Sequence, residues 1–249
     1  MPLVTALIAP HSPLLIKTVS GEQTQLLAPT LNSLEQMAVE LAQARVETII
    51  VVGDHGQLRP DTLTLAQPPH FIINLKEFGD VVTTRELEPE VHFGNAVREY
   101  GETNLSIITV APTQLSYVIG VPLLLLTPYL PAVRICCFGP ALLPVNDHVA
   151  LGAVLRHVSE STSSRVALLA AGDLPEGNAD FVAVVKNGLT NGNLYDLAKQ
   201  TRWADTPQGI AWRNLVIMGA ALNPSSWQTE ILSYQNLFGT GLLTAIIRP

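Results

Sequence analysis

Val46-Glu47-Thr48-Ile49-Ile50-Val51-Val52 is an apolar-rich run that ends abruptly at Gly53-Asp54-His55-Gly56. A short run of this kind, rich in β-branched residues and stopped by turn residues, reads as a strand buried on both faces of a sheet. The same pattern recurs outward from it. Residues 4–9 end at Pro10-His11-Ser12-Pro13, and residues 166–171 end at Gly172-Asp173-Leu174-Pro175-Glu176. Residues 71–75, 105–111 and 133–138 read as further strands. Helical spacing fills the intervals at 20–45, 88–100, 146–159, 179–189, 194–201 and 209–222. In the first of these, Leu26, Leu27, Leu31, Leu34, Met37, Ala38 and Leu41 form the apolar stripe. Near the end, strands at 230–234 and 242–247 flank a turn-rich join and read as a hairpin. Alternating strands and helices predict one α/β domain over residues 1–249. Its central sheet is mostly parallel, mixed because of the final pair, and flanked by helices.

The composition supports a large core. Apolar residues make up 47% of the 249 and charged residues only 14%, against about 25% charged on average. That excludes a disordered chain and a coiled coil. The net charge is −7, with no Lys/Arg cluster, so nucleic acid is not an expected partner and neither is an anionic membrane surface. Residues 103–133 carry no formal charge, but four prolines and Gly120 interrupt them. They read as a strand, a loop and a short buried helix rather than a membrane span. Cys136 and Cys137 are adjacent and the only cysteines. They are expected as buried strand thiols in a reducing compartment, not as a disulfide. The first residues lack a basic segment and a cleavage site, which points to a cytoplasmic protein.

In α/β sheets ligands gather beyond the carboxyl ends of the strands. The three polar clusters after residues 9, 52 and 171 would share such a rim. His11 and His55 in two of them are candidate metal ligands, and two His with one carboxylate is an Fe(II) set with open positions. Asp173 is either a helix-opening cap or, with Glu176, an acid/base group. His148 and His157 are nine residues apart, about 180° around a helix, and are expected at the surface. His70 and His92 carry little functional signal. G-x-S-x-G, P-loop, G-x-G-x-x-G and H-E-x-x-H patterns are all missing.

Taken in order, Leu7-Ile8-Ala9-Pro10-His11-Ser12-Pro13, Ile49 to Gly56, Phe78-Gly79-Asp80, Val121-Pro122-Leu123-Leu124-Leu125, Ala171-Gly172-Asp173-Leu174, Gly219-Ala220-Ala221-Leu222 and Phe238-Gly239-Thr240-Gly241 resemble the class III extradiol ring-cleavage dioxygenases. The likeness is to the protocatechuate 4,5-dioxygenase catalytic-subunit type, whose superfamily includes Memo-like proteins. The resemblance implies Fe(II), with Zn or Mn as substitutes, held by His11, His55 and a third ligand. Gln208 stands where that family has Glu, with Asp205 or Glu230 as other candidates. Tyr117 stands in place of a second-sphere His, and Glu176 in place of an acid/base His. The implied reaction opens a catechol-type ring with O₂. Glu176 would be the base, Asp173 would orient it, and Tyr117 would bond substrate. A homodimer or larger assembly is also implied. The departures open an alternative, a degenerate Memo-like member that binds a metal or a partner without turnover. A further alternative is another metal-assisted reaction such as hydrolysis.

Overall fold

Every residue of the central strand at Thr48–Val52 is buried, as its unbroken apolar run requires. The computed structural model describes residues 3–56, 58–175, 179–222 and 227–248. Its strands are β1 (Leu3–Ala9), β2 (Thr48–Val52), β3 (Leu63–Ala66), β4 (Phe71–Leu75), β5 (Asp80–Pro89), β6 (Ile107–Val110), β7 (Arg134–Gly139), β8 (Val166–Ala171), β9 (Leu174–Pro175), β10 (Gln228–Leu237) and β11 (Thr240–Arg248). Its α-helices are α1 (Lys17–Ser20), α2 (Ala28–Gln43), α3 (Val91–Gly101), α4 (Tyr117–Leu126), α5 (Val145–Ser161), α6 (Ala179–Thr190) and α7 (Gly209–Leu222).

The main sheet runs β10-β11-β1-β8-β2-β7-β3-β6. Its centre, β1-β8-β2-β7, is parallel, and β11 and β3 flank it antiparallel. The sheet is therefore mixed, as the terminal strand pair predicted. That pair is a hairpin turned at Phe238 and Gly239, both with positive φ, the primed geometry that matches strand twist. Alternate strand residues enter two cores. Ile8, Ile50, Cys136 and Leu168 pack with α3, α5, α6 and α7. Leu7, Val51, Cys137 and Leu169 pack with α2 and α4. Both cysteines are buried and unbridged, and burial pushes their thiols up. Among the described residues no helix is long and apolar enough to cross a membrane.

Three local readings are corrected. Residues 20–27 do not join α2: Gly21 has φ +56 and a 3₁₀ stretch, Gly21–Leu27, precedes it. The helix expected from residue 88 begins at Val91, because Glu90 caps it by accepting from the His92 and Phe93 N–H groups. Leu194–Lys199 is 3₁₀ rather than α.

His148 corrects a fourth. The two histidines of α5 do lie on opposite faces, but α7 packs against this helix. His157 is exposed and stacks on Tyr100, whereas His148 is wholly buried. Its ring nitrogens lie 3.0 Å from the Pro144 carbonyl and 3.1 Å from the Ala141 carbonyl. Burial lowers its pKa, helped by Arg213 and opposed by those carbonyls and Asp147. Below about pH 6.5 the unfolded chain takes up a proton that the folded one resists, so stability falls as pH falls. His148→Gln should flatten the slope of unfolding free energy below that pH, by at most about 1.4 kcal/mol per pH unit. Urea midpoints at several pH values measure it; parallel wild-type and variant profiles would show that His148 does not titrate on unfolding.

Candidate active site

The parallel register brings the strand ends level. Ala9 lies opposite Ala171, and Val52 opposite both Ala170 and Phe138. Two bonds continue the ladder past the strands, Gly172 N–H to Ala9 O at 3.1 Å and Gly53 N–H to Phe138 O at 3.0 Å. His11, Asp173 and Asp54-His55 thus leave neighbouring strands on one rim. The order β1-β8-β2 separates the starts of the His11 and His55 loops by two strand spacings, about 10 Å, with the Asp173 loop between them.

His11 and Asp173 clasp each other. The His11 N–H donates to Asp173 Oδ1 at 2.6 Å, and the Asp173 N–H donates to His11 Nδ1 at 2.9 Å. Nδ1 is therefore the acceptor, and the neutral ring carries its proton on Nε2. Burial lowers the His11 pKa, and Asp173 and Asp54 partly restore it.

His55 is only 3% exposed. Its Nε2 lies 2.8 Å from Thr64 Oγ1 on β3. Among the described residues its buried Nδ1 has no hydrogen-bond partner. Burial lowers its pKa too, against Asp54 and the ring's interaction with its own backbone. The contact needs Gly139, where a Cβ would come within 2.3 Å of Thr64 Oγ1 and 2.8 Å of His55 Nε2. Gly56, with φ +95, returns the loop, and its N–H donates to Asp54 Oδ1 at 2.8 Å.

Tyr117 opens α4 and stands at this rim, its ring 5.6 Å from that of His11. Phe78 meets Tyr117 edge-on at 5.1 Å. The 3₁₀ turn carrying Glu77 and Phe78 is anchored by Asp80, which accepts from the Thr18 hydroxyl and, at 2.9 Å each, from the Val82 and Thr83 N–H groups. These bonds hold the Asp80 carboxyl well below the usual carboxylate range. Burial raises the Tyr117 pKa, and the negative charges of Asp173, Glu77 and Asp54 raise it further. The phenol keeps its proton at neutral pH and can donate it in a hydrogen bond.

The remaining candidates are scattered. Gln208 is buried just before α7, where its backbone carbonyl accepts the Trp212 backbone N–H. Asp205 is exposed and acts on Arg213. Glu230 lies on β10, paired with Arg248 at 2.8 Å. Glu176 lies outside the described residues. Sequence reasoning missed Thr64 and Asn214. Thr64 carries no signal within Leu-Thr-Leu-Ala, but Asn214 does, as a polar residue in an apolar helix. Its Nδ2 donates to Ala171 O at 3.0 Å and so braces the strand end before Asp173.

For a metal, the fit is partial. His55, with Nε2 held by the Thr64 hydroxyl and a buried Nδ1 without a partner, has the arrangement of a ligand oriented by an outer group. Among the described residues no group of three His, Cys, Asp or Glu gathers to complete a site.

A mixed α/β sheet with its polar constellation at the carboxyl ends of parallel strands defines a class of small-molecule-binding folds. Residues 5–243 match the family of the catalytic LigB subunit of aromatic ring-opening dioxygenase, and the chain belongs to that family. Protein CA_C1420 of Clostridium acetobutylicum is 24% identical over 260 residues, covering 94% of this chain and 55% of its own. The chain thus spans about half the length of that curated relative. An uncharacterized protein, JW3007 from Escherichia coli K12, shares the fold with a TM-score of 0.66 at 13% identity, over 98% of this chain and 99% of that one.

Proposed function

We propose that the chain is a divergent ring-opening dioxygenase, acting with O₂ on a catechol-type diol at the rim formed by β1, β8 and β2. Family membership supports the reaction class. The observation that carries the metal requirement is the buried, unpartnered Nδ1 of His55 beside a fixed Nε2. His55 would hold Fe(II), or Zn or Mn, through Nδ1. His11 would join through Nε2 as the other neutral tautomer, its proton moved to Nδ1 and the bond from the Asp173 N–H given up. Gln208 is the assigned third ligand. When bound, the metal supplies Lewis acidity and a place for O₂. Asp173 keeps the His11 loop in place by accepting the His11 backbone N–H through Oδ1. Tyr117 donates a hydrogen bond to a substrate oxygen, and Phe78 walls the ring. Glu176 is assigned as the base that takes a phenolic proton. The protein is proposed to work in the cytoplasm as a homodimer or larger assembly.

A second reading is favoured by the occupied Nδ1 of His11 and the neutral Gln208: a degenerate member that binds a metal or a partner without turnover. One experiment separates the two. The protein is purified without chelator, loaded anaerobically with Fe(II), and compared with a His11→Ala/His55→Ala variant for metal per chain and for oxygen uptake on a catechol panel. Near-stoichiometric metal and oxygen uptake, both lost in the variant, are expected. Metal without uptake supports the second reading. No metal above the variant, with Zn and Mn also tried, overturns the metal site.

A further inference from the structure

We propose that a small cavity between α7 and the ends of β1 and β8 binds molecular oxygen beside the rim. The inference deepens the reading above. It rests on that reading for the use of the oxygen, and on packing alone for its location. On the side of the sheet that meets α7, β8 presents Val166, Leu168 and then Ala170. The step from leucine to alanine is met on α7 by another alanine, Ala211. A cavity of about 10 Å³ is left, lined by these two alanines, Ile8, Ala171, Leu215 and Asn214. Gly172 and Leu174 complete the lining. They flank Asp173, whose N–H donates to His11 Nδ1 at 2.9 Å. The cavity therefore backs onto the loop that clasps His11.

A space of this size holds one water or one diatomic molecule. Water is the poorer occupant, because it needs about two to four polar partners. The strand groups around the cavity are engaged. Ile8 pairs with Ala170 in the ladder, the Gly172 N–H donates to Ala9 O, and Ala171 O accepts from Asn214 Nδ2. The buried side-chain atom left over is Asn214 Oδ1, which among the described residues has no partner. One acceptor does not hold a water. The other side chains are apolar and at most 9% exposed. Dioxygen is apolar and asks for no hydrogen bond, so it leaves water for such a space, as other small apolar solutes do.

The first test needs neither metal nor turnover. Dissolved O₂ is paramagnetic and speeds the relaxation of protons beside it. Methyl relaxation is measured by NMR on the full chain, with chelator present, under nitrogen and under pressurised oxygen. Ala38 on α2 is the control, a methyl as fully buried as that of Ala170 but in the other core. The oxygen enhancement at Ala170 should exceed that at Ala38 by at least about threefold. Ala211→Val, which fills the space, should remove the excess. In the iron-loaded chain the same variant should lower kcat/KM for O₂ by at least about threefold, and raising the oxygen concentration should recover the rate. An Ala170 methyl that responds no more than Ala38 overturns the proposal, as does a long-lived water seen by its cross-peak to that methyl. A rate loss that oxygen does not recover also overturns it. The wild-type comparison decides even where the variant fails to fold. Enhancement at Ala170 in a chain that consumes no oxygen on catechols would sink the dioxygenase reading alone.

Discussion

Trp212→Ala should lower the unfolding free energy by about 3–5 kcal/mol, a large share of the roughly 5–15 kcal/mol that holds a domain of ordinary stability. Trp212 is 1% exposed and among the largest wholly buried side chains. It sits on α7, where only Ile210 escapes full burial. Its indole N–H donates to Leu197 O at 2.9 Å, so truncation opens a cavity and also strands a buried carbonyl. Collapse cannot close that cavity easily, because α7 approaches α5 too closely to move. A Cβ on Gly152 would lie 2.3 Å from Ile217 O and 2.6 Å from Ala220 Cβ. Trp212→Phe, which keeps most of the volume and loses the hydrogen bond, should cost about 1–3 kcal/mol. Urea unfolding of both variants measures the difference. A loss under about 1 kcal/mol in Trp212→Ala would mean that α7 is not the core element described. The variant also bears on the site, because α7 presents Asn214 to Ala171 O beside the Asp173 turn.

What the sequence made legible follows from where each segment lies. β1, β2, β7 and β8 are covered by helices on both faces, so they must be continuously apolar, and such runs are easy to read. β5 pairs mostly with β4 outside the main path, and much of it is exposed. Its Arg85, Glu86 and Glu88 look like surface residues, and the strand left no apolar signature. β3 is only four residues long and reaches its place by running antiparallel to β7. That reversal brings Thr64 to His55, and no spacing along the chain encodes it. The rim itself was visible, because polar clusters follow three buried strands that a parallel sheet must end together. The His11–Asp173 clasp was not, since both of its bonds use backbone N–H groups. His148 was misplaced for a related reason. The angle between it and His157 was right, but the angle alone does not say which face α7 covers.

His55→Ala should abolish metal binding, and Thr64→Val should weaken it by about 10–100-fold while leaving the fold in place. A neutral imidazole has one proton to place. If Nε2 donates to Thr64 Oγ1, 2.8 Å away, the lone pair is on Nδ1, the nitrogen that is buried without a partner. Removing Oγ1 takes away the partner that holds Nε2 and orients the ring, so a smaller fraction of rings presents Nδ1 as a ligand. Valine has nearly the same volume as threonine, so the wholly buried site is not emptied. The stability cost is that of one buried polar atom left without its partner, about 1–3 kcal/mol. Thr64→Ser restores the oxygen and should restore affinity, which a purely structural role for the methyl group would not do. Gly139→Ala offers an independent route, since its Cβ would press between Thr64 Oγ1 and His55 Nε2. It should reproduce the loss without altering either partner. The measurement is competitive metal titration against a chelating indicator, with circular dichroism to verify folding. Wild-type affinity in a folded Thr64→Val protein would show that His55 does not bind metal through Nδ1. The rim would then be left with His11, whose Nδ1 already accepts the Asp173 N–H, and the reading of a member that binds without turnover would be preferred.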